Sequence, residues 1–321
     1  MKPLAEMEGS ANITPPVQDE RTFSAFNEGT ELVHAGKRLR LFSLFVLGLS
    51  FLFALPLIGL LRYSLNSDLY SHVVLIPCIS AYLIWLRRGQ PLPVISSSPA
   101  LVVIPLALGL ASLKEICWPG MFPAAGSRED HYALTTFCYL CFLWAGALAI
   151  LGGAFVRSFL FEALFLIFMA PMPTWVRHGM EVFFQFASAD AAALLFNVTG
   201  STVFRDGLVF HLPGIVIQVA EECSGIRSSY VLFITSLPAG AVFLRSPWKR
   251  AALTVFVIPL GILRNGFRIF TIGMLCVHVD PSMIDSPIHH RGGPLFFVMS
   301  LIPFFALLLW MQKRERPQAK T

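Results

Sequence analysis

Apolar residues in this chain come in long unbroken runs, and that feature constrains its fold more than any other. Eight runs cover roughly 41–61, 70–86, 99–117, 133–152, 156–172, 225–244, 250–275 and 293–311. About 20 apolar residues are enough to cross the hydrocarbon core of a bilayer as a helix. The runs do not alternate, which argues against an outer-membrane barrel. Only 13% of the 321 residues are charged and 55% are hydrophobic. A soluble protein of this length lacks the polar surface to cover such a core, and a disordered chain would not be so apolar. The expected fold class is an all-α polytopic membrane protein of about eight transmembrane helices.

The basic residues order these spans. Lys37, Arg38 and Arg40 precede the first, and Arg87 and Arg88 follow the second. Arg157, then Arg245, Lys249 and Arg250, then Lys313, Arg314 and Arg316 fall at alternate later connections. Strict alternation puts all of them on one side, which the positive-inside rule makes the cytoplasm, with both termini. The net charge of +5 therefore reads as a topology signal and not as a nucleic-acid surface. Residues 1–40 are expected to be a flexible cytoplasmic tail without a cleavable signal peptide. Residues 41–311 form the membrane domain, and 312–321 a cytoplasmic basic tail.

The opposite face holds the polar residues of loops 62–69, 118–132, 173–224 and 276–292. Residues 177–198 read as an amphipathic helix lying on the outer interface or dipping into it; a ninth span is the alternative, set aside because it would put the last basic clusters outside. Residues 201–220, with turn signals at Asp206-Gly207 and Pro213-Gly214, read as a short β-hairpin or meander. Cys138 and Cys141 form a CxxC inside an apolar helix, where cysteine acts as a small hydrophobe.

Three segments on that face carry chemistry. Cys223, flanked by Glu222 and Ser224, precedes an apolar helix whose N-terminus favours a thiolate. Arg227, four residues on, shares its face. Arg264, Asn265 and Arg268 lie within the seventh run, where polar groups are costly unless they face a cavity or a partner. Counting about 1.5 Å per residue from Arg250 puts Arg268 about 27 Å across, at the depth of Cys223. His289 and His290 precede the eighth run, and imidazole suits proton transfer near neutral pH. No further His or Cys has the spacing of a zinc site, and no metal is expected. A snorkelling or purely structural role remains open for each arginine. A polytopic transporter or exopolysaccharide-export component is the alternative class, and a serine intramembrane protease a weaker third.

These motifs in order resemble the exosortase/archaeosortase family of membrane cysteine transpeptidases, from about residue 40 to 311. The resemblance runs through Tyr70-Ser71-His72, the Met169–Pro173 element, Glu222-Cys223-Ser224-Gly225-Ile226-Arg227-Ser228, Asn265-Gly266-Phe267-Arg268-Ile269, and His289 with Gly293 and Phe297. It implies Cys223 as nucleophile, Arg268 as oxyanion or substrate partner, and His289 or its neighbour His290 as acid/base. Glu222, Arg227, Arg264, Asn265 and His290 are the accompanying substrate-binding candidates. The implied substrates are secreted proteins ending in a Pro-containing motif, a transmembrane helix and a basic tail. Such proteins commonly travel with exopolysaccharide production. The implied setting is the bacterial inner membrane with a periplasmic active site and no cofactor.

Overall fold

The computed structural model describes residues 20–87, 99–118, 127–220, 224–286 and 292–315, without the side chains of 20–35 and 99. Buried in hydrocarbon, a backbone must satisfy its own hydrogen bonds, so the apolar runs become helices. In order these are α1 (Glu20–Leu52), α2 (Ala54–Leu65), α3 (Leu75–Leu86), α4 (Pro99–Cys117), α5 (Arg128–Ile150), α6 (Gly153–Ser158) and α7 (Leu160–Phe165). Then follow α8 (Thr174–Val198), α9 (Ile226–Phe243), α10 (Pro247–His278) and α11 (Gly293–Lys313). Three strands, β1 (Phe204–Asp206), β2 (Val209–Leu212) and β3 (Ile215–Gln218), separate α8 from α9. Helix α1 begins inside the segment that the sequence suggests is a tail.

Among the described residues, α4, α5, α8, α9, α10 and α11 are long and apolar enough to cross a membrane, and α1 with α2 makes a seventh, bent span. The molecule is a multi-pass helical membrane protein. Runs 70–86 and 156–172, read as full spans in the sequence, are shorter apolar helices, Ser71–Leu86 and Leu160–Met169. The first run bends by 73° at Phe53. Pro56 explains the bend: it lacks an N–H and its ring crowds the carbonyl four residues back, at Leu52.

The helix ends sort into two groups. Arg87, at the end of α3, pairs with the buried Glu162 at 3.2 Å and donates to Ser158 O at 2.7 Å. The N–H groups of Arg245 and Ser246 donate to the Glu315 carboxylate at 2.6 and 3.0 Å. Those bonds, Arg245 first, hold the Glu315 carboxyl below its usual pKa. These contacts tie the end of α3 to α6 and α7, and the α9–α10 connection to the end of α11. The end of α2 and the starts of α5, α8, α9 and α11 meet at one end of the bundle.

Helix α10 is the spine. Its 32 residues reach about 48 Å, well beyond a hydrocarbon core of about 30 Å. Helix α9 runs antiparallel along its first part: Ser236 Oγ lies 3.4 Å from Thr254 Oγ1, and Gly225 meets Asn265. Farther along, α8 takes over, running parallel to α10. A Cβ on Gly266 would meet Ala191 at 2.6 Å, and one on Gly273 would meet Phe196 at 2.6 Å. Helix α8 has the length and apolarity of a span. The sequence reading instead put this segment on the outer interface and set aside a ninth span; the helix starts beside the first turn of α5 and packs along α10.

The strands form an antiparallel meander in the order β1-β2-β3. Its turns fall at the two signals in the sequence, with Gly207 at φ 58° and Gly214 at φ 84°. Phe210, Leu212, Ile217 and Val219 face inward onto Phe196, Ile269 and Ile272. Cys138 and Cys141 are fully buried, and Cys138 Sγ lies 3.4 Å from Gly109 O. The CxxC is packing between α4 and α5.

Asp130 fixes where α8 begins. Its carboxylate accepts Thr174 N and Thr174 Oγ1, each at 2.8 Å, and Ser127 Oγ at 2.6 Å. Asp130→Ala would leave the Thr174 N–H and the Thr174 and Ser127 hydroxyls without this acceptor in a partly buried corner. The expected cost is about 1–3 kcal/mol, read as a lower Tm of the detergent-purified protein.

Candidate active site

A cleft of about 1190 Å³ opens at the end where α2, α5, α8, α9 and α11 meet. Its described lining comes from three of the polar loops of the sequence reading, through Asn66–Leu69, Glu129 and Ala220, and from the starts of α9 and α11, through Gly225–Ser228 and Gly293-Pro294. Arg268 of α10 joins them. Among the site candidates, Arg227 and Arg268 line this cleft. Glu222, Cys223, His289 and His290 lie outside the described residues. Their sequence neighbours on both sides, Ala220 with Gly225 and Ser286 with Gly292, are described.

The first turn of α9 is held from beneath. Gly225, its N-cap, has φ +72°. Only glycine adopts this readily, and here there is also no room for a side chain: a Cβ would meet Asn265 at 2.8–3.0 Å. Three donors converge on Gly225 O, namely Ser229 N at 3.1 Å, Ser228 Oγ at 3.3 Å and Arg264 Nη2 at 3.1 Å. Arg264 Nη2 also donates to Ser229 Oγ at 3.0 Å. Arg264 and Asn265 are buried, at 8% and 2% exposure. They grip the turn from within the bundle, while Arg268, one helical turn on, faces the cleft. The shared i,i+4 face expected for the two arginines is therefore divided between a buried bracket and an open wall.

Arg227 is exposed at the rim and pairs with Asp68 at 2.9 Å. Exposed pairs of this kind add about 0–1 kcal/mol. The turn that carries Asp68 is anchored by Tyr70, whose buried hydroxyl donates to Met172 O at 3.4 Å. Burial raises the pKa of that phenol and keeps it a donor. His72 is buried with its ring edge-on to Tyr230 of α9, centroids 5.1 Å apart. Two motifs noted in the sequence, Tyr70-Ser71-His72 and Met169–Pro173, thus meet in the core beside α9, the second leading into α8.

The opposite wall was not foreseen from the sequence. Arg177 donates from Nε to Glu129 at 3.1 Å and from Nη1 to both oxygens of Glu181 at 2.9 and 3.0 Å. Tyr63 donates to the other Glu129 oxygen at 2.8 Å. The available signal was Arg177 and Glu181 at i,i+4 within an apolar stretch, a spacing that pairs opposite charges on one helix face. Among the described residues no three His, Cys, Asp or Glu side chains come together as a metal site.

The cleft offers a helix N-terminus, a guanidinium and a fixed polar wall at one end of a membrane bundle. The family model for transmembrane exosortases (Exosortase_EpsH) matches residues 64–306, about three quarters of the chain. The chain belongs to the transmembrane exosortase family. Searches of curated proteins and of solved structures find no match. The matched span of this exosortase runs from the end of α2 into α11. It contains nearly all of the cleft and leaves α1 and most of α2 outside. Membership makes the protein, in general terms, a membrane sorting transpeptidase of a cysteine class acting on secreted proteins.

Proposed function

We propose that this exosortase cleaves a C-terminal sorting signal through a thioester on Cys223 and passes the acyl group to an acceptor. The signal would comprise a Pro-containing motif, one transmembrane helix and a basic tail. The observation that carries this reading is that the α9 turn directly after Cys223 and the guanidinium-bearing face of α10 line one cleft. Cys223 gives its thiol proton to His289 as Sγ attacks the scissile carbonyl carbon. The oxyanion is met by Arg268 and by the partial positive charge at the start of α9. Collapse of the adduct breaks the C–N bond, and His289 protonates the departing amine. The acceptor nucleophile then attacks the thioester carbonyl and frees the thiol.

Of the accompanying residues, Arg227 is assigned to substrate at the rim, and Arg264 and Asn265 to holding the nucleophile turn. Glu222 and His290 are assigned to the flanks of Cys223 and His289. The cleft end would face the periplasm of a bacterial inner membrane, with the basic end and both termini in the cytoplasm. This orientation rests on the charge bias. The reaction needs no cofactor and no nucleic acid, and a substrate helix arrives laterally through the bilayer.

The test is co-expression of Cys223→Ala with a secreted reporter ending in such a signal, followed on a gel. Processing should fall to background at normal abundance of the variant in membranes. Processing at the wild-type rate rules the mechanism out.

A further inference from the structure

A second, smaller recess adjoins the cleft at Arg268. It holds about 40 Å³ and lies between β3, α10 and the short 3₁₀ turn Pro281–Asp285. Among the described residues its walls are mostly aliphatic, Ile217 and Val219 at β3, Ile269 and Ile272 from α10 and Ile284 from the turn, with Gln218, Asn265 and Arg268 as the polar members. Ile217, Ile269 and Ile272 are buried, and all three belong to the core that joins the sheet to α10. Arg268 borders both the recess and the cleft.

Three physical points give this recess a ligand. A water-sized group needs about 10–15 Å³ on this measure, so 40 Å³ admits about three heavy atoms. That matches the side chain of Val or Pro and excludes the rings of Phe or Trp. The five β-branched aliphatic side chains have stiff χ1 angles, so the apolar part of the space has a defined shape. An extended chain advances about 3.3 Å per residue. A peptide with its scissile carbonyl at Arg268 therefore carries a neighbouring side chain to the recess.

We infer that the recess is a specificity subsite that reads a compact aliphatic side chain on a residue flanking the scissile bond. This rests on the transpeptidase reading above. It also gives Ile269, which directly follows Arg268, a part in substrate selection.

The test uses the full chain in membranes and reporters whose two flanking residues are varied in turn through Gly, Ala, Val, Pro, Leu, Phe and Trp. At one flanking position the wild type should process Phe and Trp about 10-fold or more slowly than Val. Ile272→Ala should raise Phe relative to Val by about 10-fold, and Ile272→Phe should lower Val relative to Gly. Ile284→Ala, at a partly exposed wall, repeats the enlargement with less disturbance of the core. Unaltered flanking preferences in all three variants would overturn the subsite, and identify the recess as a packing void. Cys223→Ala run in parallel separates the two claims. Unchanged processing there removes the transpeptidase reading and the subsite with it. Lost processing there, with unaltered preferences in the isoleucine variants, removes the subsite alone.

Discussion

Gly225→Ala is expected to slow processing by about 100-fold or more, whereas Gly207→Ala leaves the rate at wild type. Both glycines have positive φ, 72° and 58°. Placing a non-glycine residue in that region costs about 1–2 kcal/mol at either site. The surroundings separate them. A Cβ on Gly207 meets nothing within 4 Å, but one on Gly225 meets Asn265 Cγ at 2.8 Å. Asn265 is buried in the middle of α10 and has nowhere to retreat, so the turn must move. Moving it pulls Gly225 O from Arg264 and displaces the residues just after Cys223. A shift of about 1 Å at a reacting group costs about 100-fold in rate. The measurement is a time course of reporter processing, normalised to the amount of each variant in membranes. Equal losses in the two variants would trace the effect to backbone strain and not to the bracket.

What the sequence made legible follows from which forces act locally. The two β turns were readable because Asp206-Gly207 and Pro213-Gly214 supply the positive φ that the turns need. The spacing of the Lys and Arg clusters could be read without knowledge of packing, because such residues are sorted by the membrane itself. The bend at Phe53 had its signal in Pro56, but the run around it is apolar enough to pass for one straight span. Runs 70–86 and 156–172 passed for spans because composition alone does not show where a helix ends. The division of labour between Arg264 and Arg268 was hidden. Their spacing fixes a shared face, but burial depends on α9 packing at Gly225, 39 positions earlier. The wall of Tyr63, Glu129 and Arg177 was hidden for the same reason, because its partners are 48 and 66 positions apart. Cys223 and His289 were singled out by neighbouring motif residues, and described neighbours of each, Ala220 with Gly225 and Gly293 with Pro294, line the cleft.

Arg268→Lys is expected to lower the processing rate by about 100-fold or more, with Arg227→Lys, which keeps a cation for substrate at the rim, far less affected. The charge is the same in both substitutions, so the contrast isolates geometry. An exposed ion pair such as Arg227–Asp68 needs only a cation, and a lysine supplies one at little loss. A guanidinium at the reaction centre does more, because its planar fork presents two parallel N–H donors to an oxygen that gains charge in the transition state. An ammonium on a flexible stem offers one donor direction at a time and stays better hydrated. Removing a single oxyanion donor typically costs about 10²–10³ in rate. The loss should appear in the maximal rate at saturating reporter and not in the reporter level needed for half-saturation. A loss confined to half-saturation would make Arg268 a substrate anchor instead. The position fits the stronger role, since Arg268 lines both the main cleft and the recess beside it.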